Sequence, residues 1–189
     1  MLGSSSVGRK QILTQVGLKP DLIKIPNISE HQLPKEKPLN YVRRIAKEKA
    51  LQINVSENDF LITADTTVVV GTEILHKTKK EIDARAQLLK LSGRRHKVYT
   101  AFCIKYRDKL VCKHTRTQLK FNFLTEKEID DYLLSREWFN CAGSYSIQGE
   151  AMKFVSFISG CYSSVVGLPI SMVWKQLRGI GYISFDKKY

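Results

Sequence analysis

A carboxylate stands in apolar company at Thr63-Ala64-Asp65-Thr66-Thr67-Val68-Val69-Val70-Gly71. Asp65 ends one apolar run, and a β-branched run resumes just behind it. A carboxylate so placed costs several kcal/mol of desolvation unless a metal ion, a cationic partner or a water it activates compensates. A strand-end aspartate capping a turn accounts for the same segment, so residues elsewhere must decide.

Several other segments carry chemistry. Ser4-Ser5-Ser6-Val7-Gly8-Arg9-Lys10 leads into the apolar positions Ile12, Leu13 and Val16. Small hydroxyl residues before a helix expose backbone N–H groups that attract anions, and Arg9 and Lys10 add charge that grips phosphate. The segment is not a Walker A sequence, and the N-capped, disordered start of a surface helix is its plainer reading. Lys49, in Ile45-Ala46-Lys47-Glu48-Lys49-Ala50, and Lys77, after Ile74-Leu75, are each able to meet a phosphate or a carboxylate, although most such lysines are merely solvated. His96 follows Leu91-Ser92-Gly93 and reads as a structural histidine before it reads as a base. Ala142-Gly143-Ser144-Tyr145-Ser146-Ile147-Gln148-Gly149 has small residues that let backbone approach a ligand, and Gln148 offers the donor and acceptor that suit a base edge.

The elements that must position these groups follow from periodicity. Asn27 to Lys37 reads as a proline-bounded loop, and Leu39, Val42, Ile45, Ala46 and Ala50 recur at helical spacing. Asp59 to Ala64 reads as a buried strand. Thr78-Lys79-Lys80-Glu81 predicts a capping box before a helix with Ile82, Ala86 and Leu89 on one face; Thr125-Glu126-Lys127-Glu128 predicts another before Ile129, Tyr132 and Leu133. Val98 to Tyr106 and Leu110 to Phe123 predict strands about an Arg107-Asp108 turn, with Leu119, Phe121 and Phe123 alternating. Gly167-Leu168-Pro169 opens a last helix with proline in its first turn. Mixed strands and helices define an α/β architecture on a mixed sheet, not an all-helical nucleic-acid reader.

The chain has 189 residues, 43% hydrophobic and 26% charged, which suits one soluble domain or two lobes sharing one sheet. No apolar stretch approaches the roughly 18 residues that span a bilayer, and the start lacks a secretory signal's apolar core, so a cytoplasmic location without membrane partners is expected. Cys103, Cys112, Cys141 and Cys161 are too dispersed for a zinc site and are expected as free, partly buried thiols. The net charge of +13 attracts polyanions, nucleic acid or a triphosphate alike.

In order and spacing these segments resemble the Maf family of nucleotide pyrophosphatases over nearly the whole chain. Ser4, Ser6 and Arg9 match its opening S-x-S…R element, Glu30 its loop acid, and Ala46, Lys49 and Ala50 its A-x-x-K-A helix. Thr63 to Val68 match G-A-D-T-x-V; the I-L-x-K, L-S-G-x-x-H-x-V, A-G-x-Y-x-I-Q-G and V-V-G-L-P elements follow in turn. The resemblance implies the fold of inosine triphosphate pyrophosphatases, one mixed α/β domain over 1–189 with two lobes flanking a cleft, and a homodimer. It implies a hydrolase that cleaves nucleoside triphosphates, dTTP and UTP or modified pyrimidine nucleotides, to monophosphate and pyrophosphate in a house-cleaning role. Asp65 would be the catalytic base; Ser6, Arg9, Lys49 and Lys77 would hold phosphate; Thr66 and Gln148 would sit by the base; Glu30 and Asp65 would hold Mg²⁺ or Mn²⁺. Three departures stand out: Val7-Gly8-Arg9 replaces Pro-Arg-Arg, Thr78 replaces the proline after Lys77, and Cys141 replaces a lysine. The missing arginine accompanies Thr66 and Gln148 in family members that prefer dTTP and UTP. The two lost cations and the basic charge define an alternative, a catalytically weakened nucleic-acid-binding or cell-division regulator. Retention of Asp65, Lys49, Lys77 and Gln148 disfavours it, and with it nucleic acid as a partner.

Overall fold

The computed structural model describes residues 1–182. In chain order the elements are β1 (Leu2–Gly3), α1 (Val7–Gln15), α2 (Pro38–Gln52), β2 (Leu61–Val70), β3 (Glu73–Leu75), α3 (Glu81–Leu91), β4 (Arg95–Tyr106), β5 (Lys109–Phe121), α4 (Glu126–Ser135), β6 (Val155–Ser159), α5 (Tyr162–Val166) and α6 (Ile170–Gly179). The strands hydrogen-bond in the order β1-β2-β4-β5-β6, with β3 paired to β2. β1 runs parallel to β2, while the β2–β3 and β5–β6 pairs are antiparallel. The α/β class with a mixed sheet is therefore present. Two compact units divide the chain: Met1–Asp65 with Thr100–Thr115 and the residues from Gly167, and Thr66–Tyr99 with Arg116–Val166.

The first unit has a core of Leu2, Leu13, Ile62, Phe102, Ile104, Leu168 and Val173. Gly3 lets β1 lie tightly on β2: a Cβ there would come within 2.6 Å of Thr63 Cγ2. α2 carries its buried residues in pairs one turn apart, Tyr41 and Val42, Ile45 and Ala46, Lys49 and Ala50. That is a 3.6-residue apolar stripe with a lysine set into it. Pro38 starts the helix, where its missing N–H costs nothing.

The second unit packs α3 and α4 over a core that includes Leu88, Phe121, Tyr132, Trp138 and Phe154. α4 begins with the expected capping box: Glu128 N donates to Thr125 Oγ1 at 3.2 Å, and Thr125 N donates to Glu128 Oε2 at 2.8 Å.

Six expectations need correction. Asp65 does not end a strand; β2 continues to Val70, held by β1 before Asp65 and by β3 after it, and turns only at Gly71. α3 buries Ala84, Leu88 and Leu91, whereas Ile82 is 76% exposed. Thr78 forms no capping box: its hydroxyl accepts from Lys80 N and donates to Asp83, and Lys80 is the N-cap. Phe123 lies beyond β5 and is 86% exposed. Cys103 and Cys112 are joined by a disulfide, their Cα atoms 4.1 Å apart. Cys103 lies three residues before the end of β4 and Cys112 three after the start of β5, so the short turn sets them opposite each other. Cys141 and Cys161 are free and partly buried, as expected. The last helix starts one residue later than foreseen, with Pro169 as its cap. No described helix is long and apolar enough to cross a membrane.

Candidate active site

A side-chain-to-backbone contact sets the register of α2 on β2. Thr63 Oγ1 donates to the carbonyl of Ala46 at 2.9 Å, within the core. Asp65 is two residues along and so shares Thr63's face of the strand; Lys49 is three residues along the helix and shares Ala46's face. The two therefore meet. Lys49 Nζ lies 2.8 Å from Asp65 Oδ1, with Asp65 2% and Lys49 5% exposed. The same ammonium lies 2.7 Å from Glu30 Oε1, a carboxylate that remains in reach of solvent.

Glu30 belongs to a segment without regular structure, and α2 holds that segment in place. Tyr41 donates its phenolic proton to the Glu30 carbonyl at 2.9 Å. Burial foremost, then Asp65 and Glu30, push that phenol's pKa up, so it stays a donor. One turn along, Arg44 makes a two-pronged contact with Glu36, both at 2.8 Å, and donates to the His31 carbonyl at 2.9 Å. Hydrogen bonding to Arg44 holds the Glu36 carboxyl below its ordinary range. The sequence reading had missed Tyr41; its spacing of four and eight from Ile45 and Lys49 was the available signal.

Arg9 supplies the second buried cation. Ser6 caps α1, its hydroxyl accepting from Arg9 N at 3.4 Å, and the Arg9 side chain is buried. The guanidinium donates through Nε to the Gly167 carbonyl and through Nη1 to Ser4 Oγ, both at 2.9 Å. Burial lowers its pKa, opposed by the fields of Asp65 and then Glu30. An arginine remains charged there. Ser4 and Gly167 are thus supports that single-residue reasoning overlooked. Two buried cations and two carboxylates make a site that carries charge, not a turn cap.

Thr66, Lys77 and Gln148 belong to the second unit. Thr66 is partly buried, while Lys77 and Gln148 are exposed. Lys77 acts on the Cys141 thiol, pulling its pKa down against the larger upward push of burial. Gln148 follows a turn whose backbone is tightly determined. Gly143 has φ 66, and a Cβ on it would lie 2.8 Å from Val68 Cβ. Gly143→Ala is expected to cost about 1–3 kcal/mol of stability, seen as a lower thermal midpoint. An unchanged midpoint would mean that the turn gives way there. His96 is 2% exposed, and burial pushes its imidazole down to about 4 against a smaller pull from the Arg94 backbone.

Among the described residues no three His, Cys, Asp or Glu side chains form a ready cage for a metal. Glu30 and Asp65 are nevertheless hard oxygen donors converging on one ammonium. Such a pair is of the donor type that a hard divalent cation takes.

This chain belongs to the Maf-like protein family, whose sequence model matches residues 1–180. A dTTP/UTP pyrophosphatase of Roseobacter denitrificans is 39% identical over 182 residues, 96% of this chain and 97% of that protein. A dTTP/UTP pyrophosphatase of Maricaulis maris is 40% identical, covering 96% of this chain and 88% of that protein. A nucleoside triphosphate pyrophosphatase of Ehrlichia chaffeensis is 43% identical, covering 90% of each chain.

Proposed function

We propose that this protein hydrolyses nucleoside triphosphates to the monophosphate and pyrophosphate, preferring dTTP and UTP or modified pyrimidine forms of them, as a house-cleaning hydrolase. The observation that carries this reading is Lys49, buried between Asp65 and Glu30 with Arg9 close by. Three to four negative charges must be neutralised and a water aimed at the α-phosphorus. Arg9, Lys49 and Lys77 supply the positive charge, and Ser6 with the amides at the start of α1 supplies hydrogen bonds. Asp65, held against Lys49, is the group that would take a proton from the attacking water. Glu30 and Asp65 would hold Mg²⁺ or Mn²⁺, which supplies Lewis-acid polarisation of the phosphates. Thr66 and Gln148 read the base.

The experiment is a turnover panel over canonical and modified triphosphates with Mg²⁺ or Mn²⁺, scoring pyrophosphate against phosphate. Pyrophosphate released fastest from dTTP and UTP supports the reading; phosphate as product, or no turnover, removes it. Gln148→Glu is expected to change the order of preferred bases more than it changes the rate on the best one, because a carboxylate loses the amide's donor. An unaltered order would exclude Gln148 from base reading.

A further inference from the structure

Three consecutive residues of the turn that leads to Gln148 are each tied to a side chain from a different element. Ser144 Oγ donates to Gln87 Oε1 of α3 at 2.9 Å. The Tyr145 hydroxyl shares a buried hydrogen bond of 3.0 Å with His96 Nε2 of β4. Ser146 N donates to the hydroxyl of Tyr132 on α4 at 3.1 Å. Beyond them Ile147 is buried, and Gly149 N donates to the Ser146 carbonyl at 3.1 Å, which closes a turn around Gln148. Gly149 is packed against Glu137, whose Oε2 also accepts from Glu150 N at 2.8 Å. The one exposed side chain between Tyr145 and Gly149 is that of Gln148, presented from backbone held on both sides.

His96 is a costly residue for a core. Its Nδ1 is buried and has no well-formed hydrogen bond among the described residues, the Arg94 backbone exerting only a smaller pull on the ring. An unsatisfied buried polar atom is destabilising, a cost that a phenylalanine would not incur. Ring packing does not need an imidazole either: His96, Phe121 and Tyr145 meet edge to face, at centroid distances of 4.9 to 5.6 Å, as three phenyl rings would. What the imidazole adds is the hydrogen bond to Tyr145.

We propose that His96 and Tyr145 are positioning residues for Gln148: their buried hydrogen bond fixes the turn that presents the amide, and so sets discrimination between bases. This rests on the base-reading role of Gln148 given above. Misplacing an otherwise intact amide weakens its interaction with the base before and during the reaction alike, so it acts on KM. Side chains that only hold the core together would alter turnover of every nucleotide by the same factor.

The test uses the full chain and measures kcat and KM for dTTP, UTP, CTP and GTP. Tyr145→Phe removes a single oxygen and keeps the ring. It is expected to raise KM for dTTP and UTP about tenfold, with kcat within about twofold and the CTP and GTP constants unmoved. His96→Phe should reproduce that profile, and His96→Gln, whose amide can still reach the phenol, should restore it. An equal change on all four nucleotides, or none, overturns the positioning role. Gln148→Ala is measured alongside. A flat profile there overturns the base-reading role and the positioning role with it. Altered selectivity in Gln148→Ala beside unaltered selectivity in Tyr145→Phe overturns the positioning role alone.

Discussion

Asp65→Asn is expected to lower pyrophosphate release from dTTP or UTP about a thousandfold or more, while the protein stays folded. The first half follows from what an amide cannot do. It keeps the shape of the carboxylate, but it does not take a proton from water at neutral pH. The second half follows from the arrangement around Lys49. The ammonium that loses Asp65 still has Glu30 at 2.7 Å, on the side open to solvent. It is therefore not stranded as an unpaired buried cation, which is the outcome that makes such substitutions destabilising. Thermal denaturation and product analysis on the same preparation decide the matter. Full activity in the folded variant would remove Asp65 from the mechanism.

How much of this was readable beforehand depended on how local each determinant is. The capping box at Thr125 needs only residues 125 to 128, and it forms as the sequence predicts. The face of α3 is different. Ile82, Ala86 and Leu89 and the actual set Ala84, Leu88 and Leu91 both suit a helix, and only packing against α4 and residues 142–144 chooses between them. The extent of β2 was hidden for the same reason. Nothing local says that a strand passes through an aspartate; pairing with β1 and then β3 carries it through. The disulfide is a different kind of miss. The Arg107-Asp108 turn places Cys103 opposite Cys112, a proximity that neither metal-site spacing nor a reducing compartment brings out.

The site divides along the same line. Types and order were legible: a carboxylate in an apolar strand, a lysine in a helix stripe, an arginine after hydroxyl residues. Their pairing was not. Lys49 and Asp65 are joined because Thr63 docks on the Ala46 carbonyl, a contact between elements with no local signature. The V-V-G-L-P segment is a further case. It matches a motif by sequence, but its part in the site, the Gly167 carbonyl that holds Arg9, needed the fold.

Lys49→Met is expected to destabilise the protein by about 3–5 kcal/mol, far more than Asp65→Asn does. Methionine preserves the length and apolar contacts of the lysine stem, so the loss falls on the charge. Removing the ammonium leaves two carboxylates facing one vacated position, and one of them, Asp65, is 2% exposed. Water cannot reach in to compensate, and the field of Arg9 is the remaining relief. The double variant Asp65→Asn with Lys49→Met should regain much of the lost stability, since neither buried charge is then left alone, and the departure from additivity should be about 1–3 kcal/mol. It should still turn over no triphosphate. Denaturant unfolding of the four proteins measures the coupling directly. Additive effects, or a Lys49→Met protein as stable as the parent, would mean that the pair is not the buried ion pair on which the charge economy of the site depends.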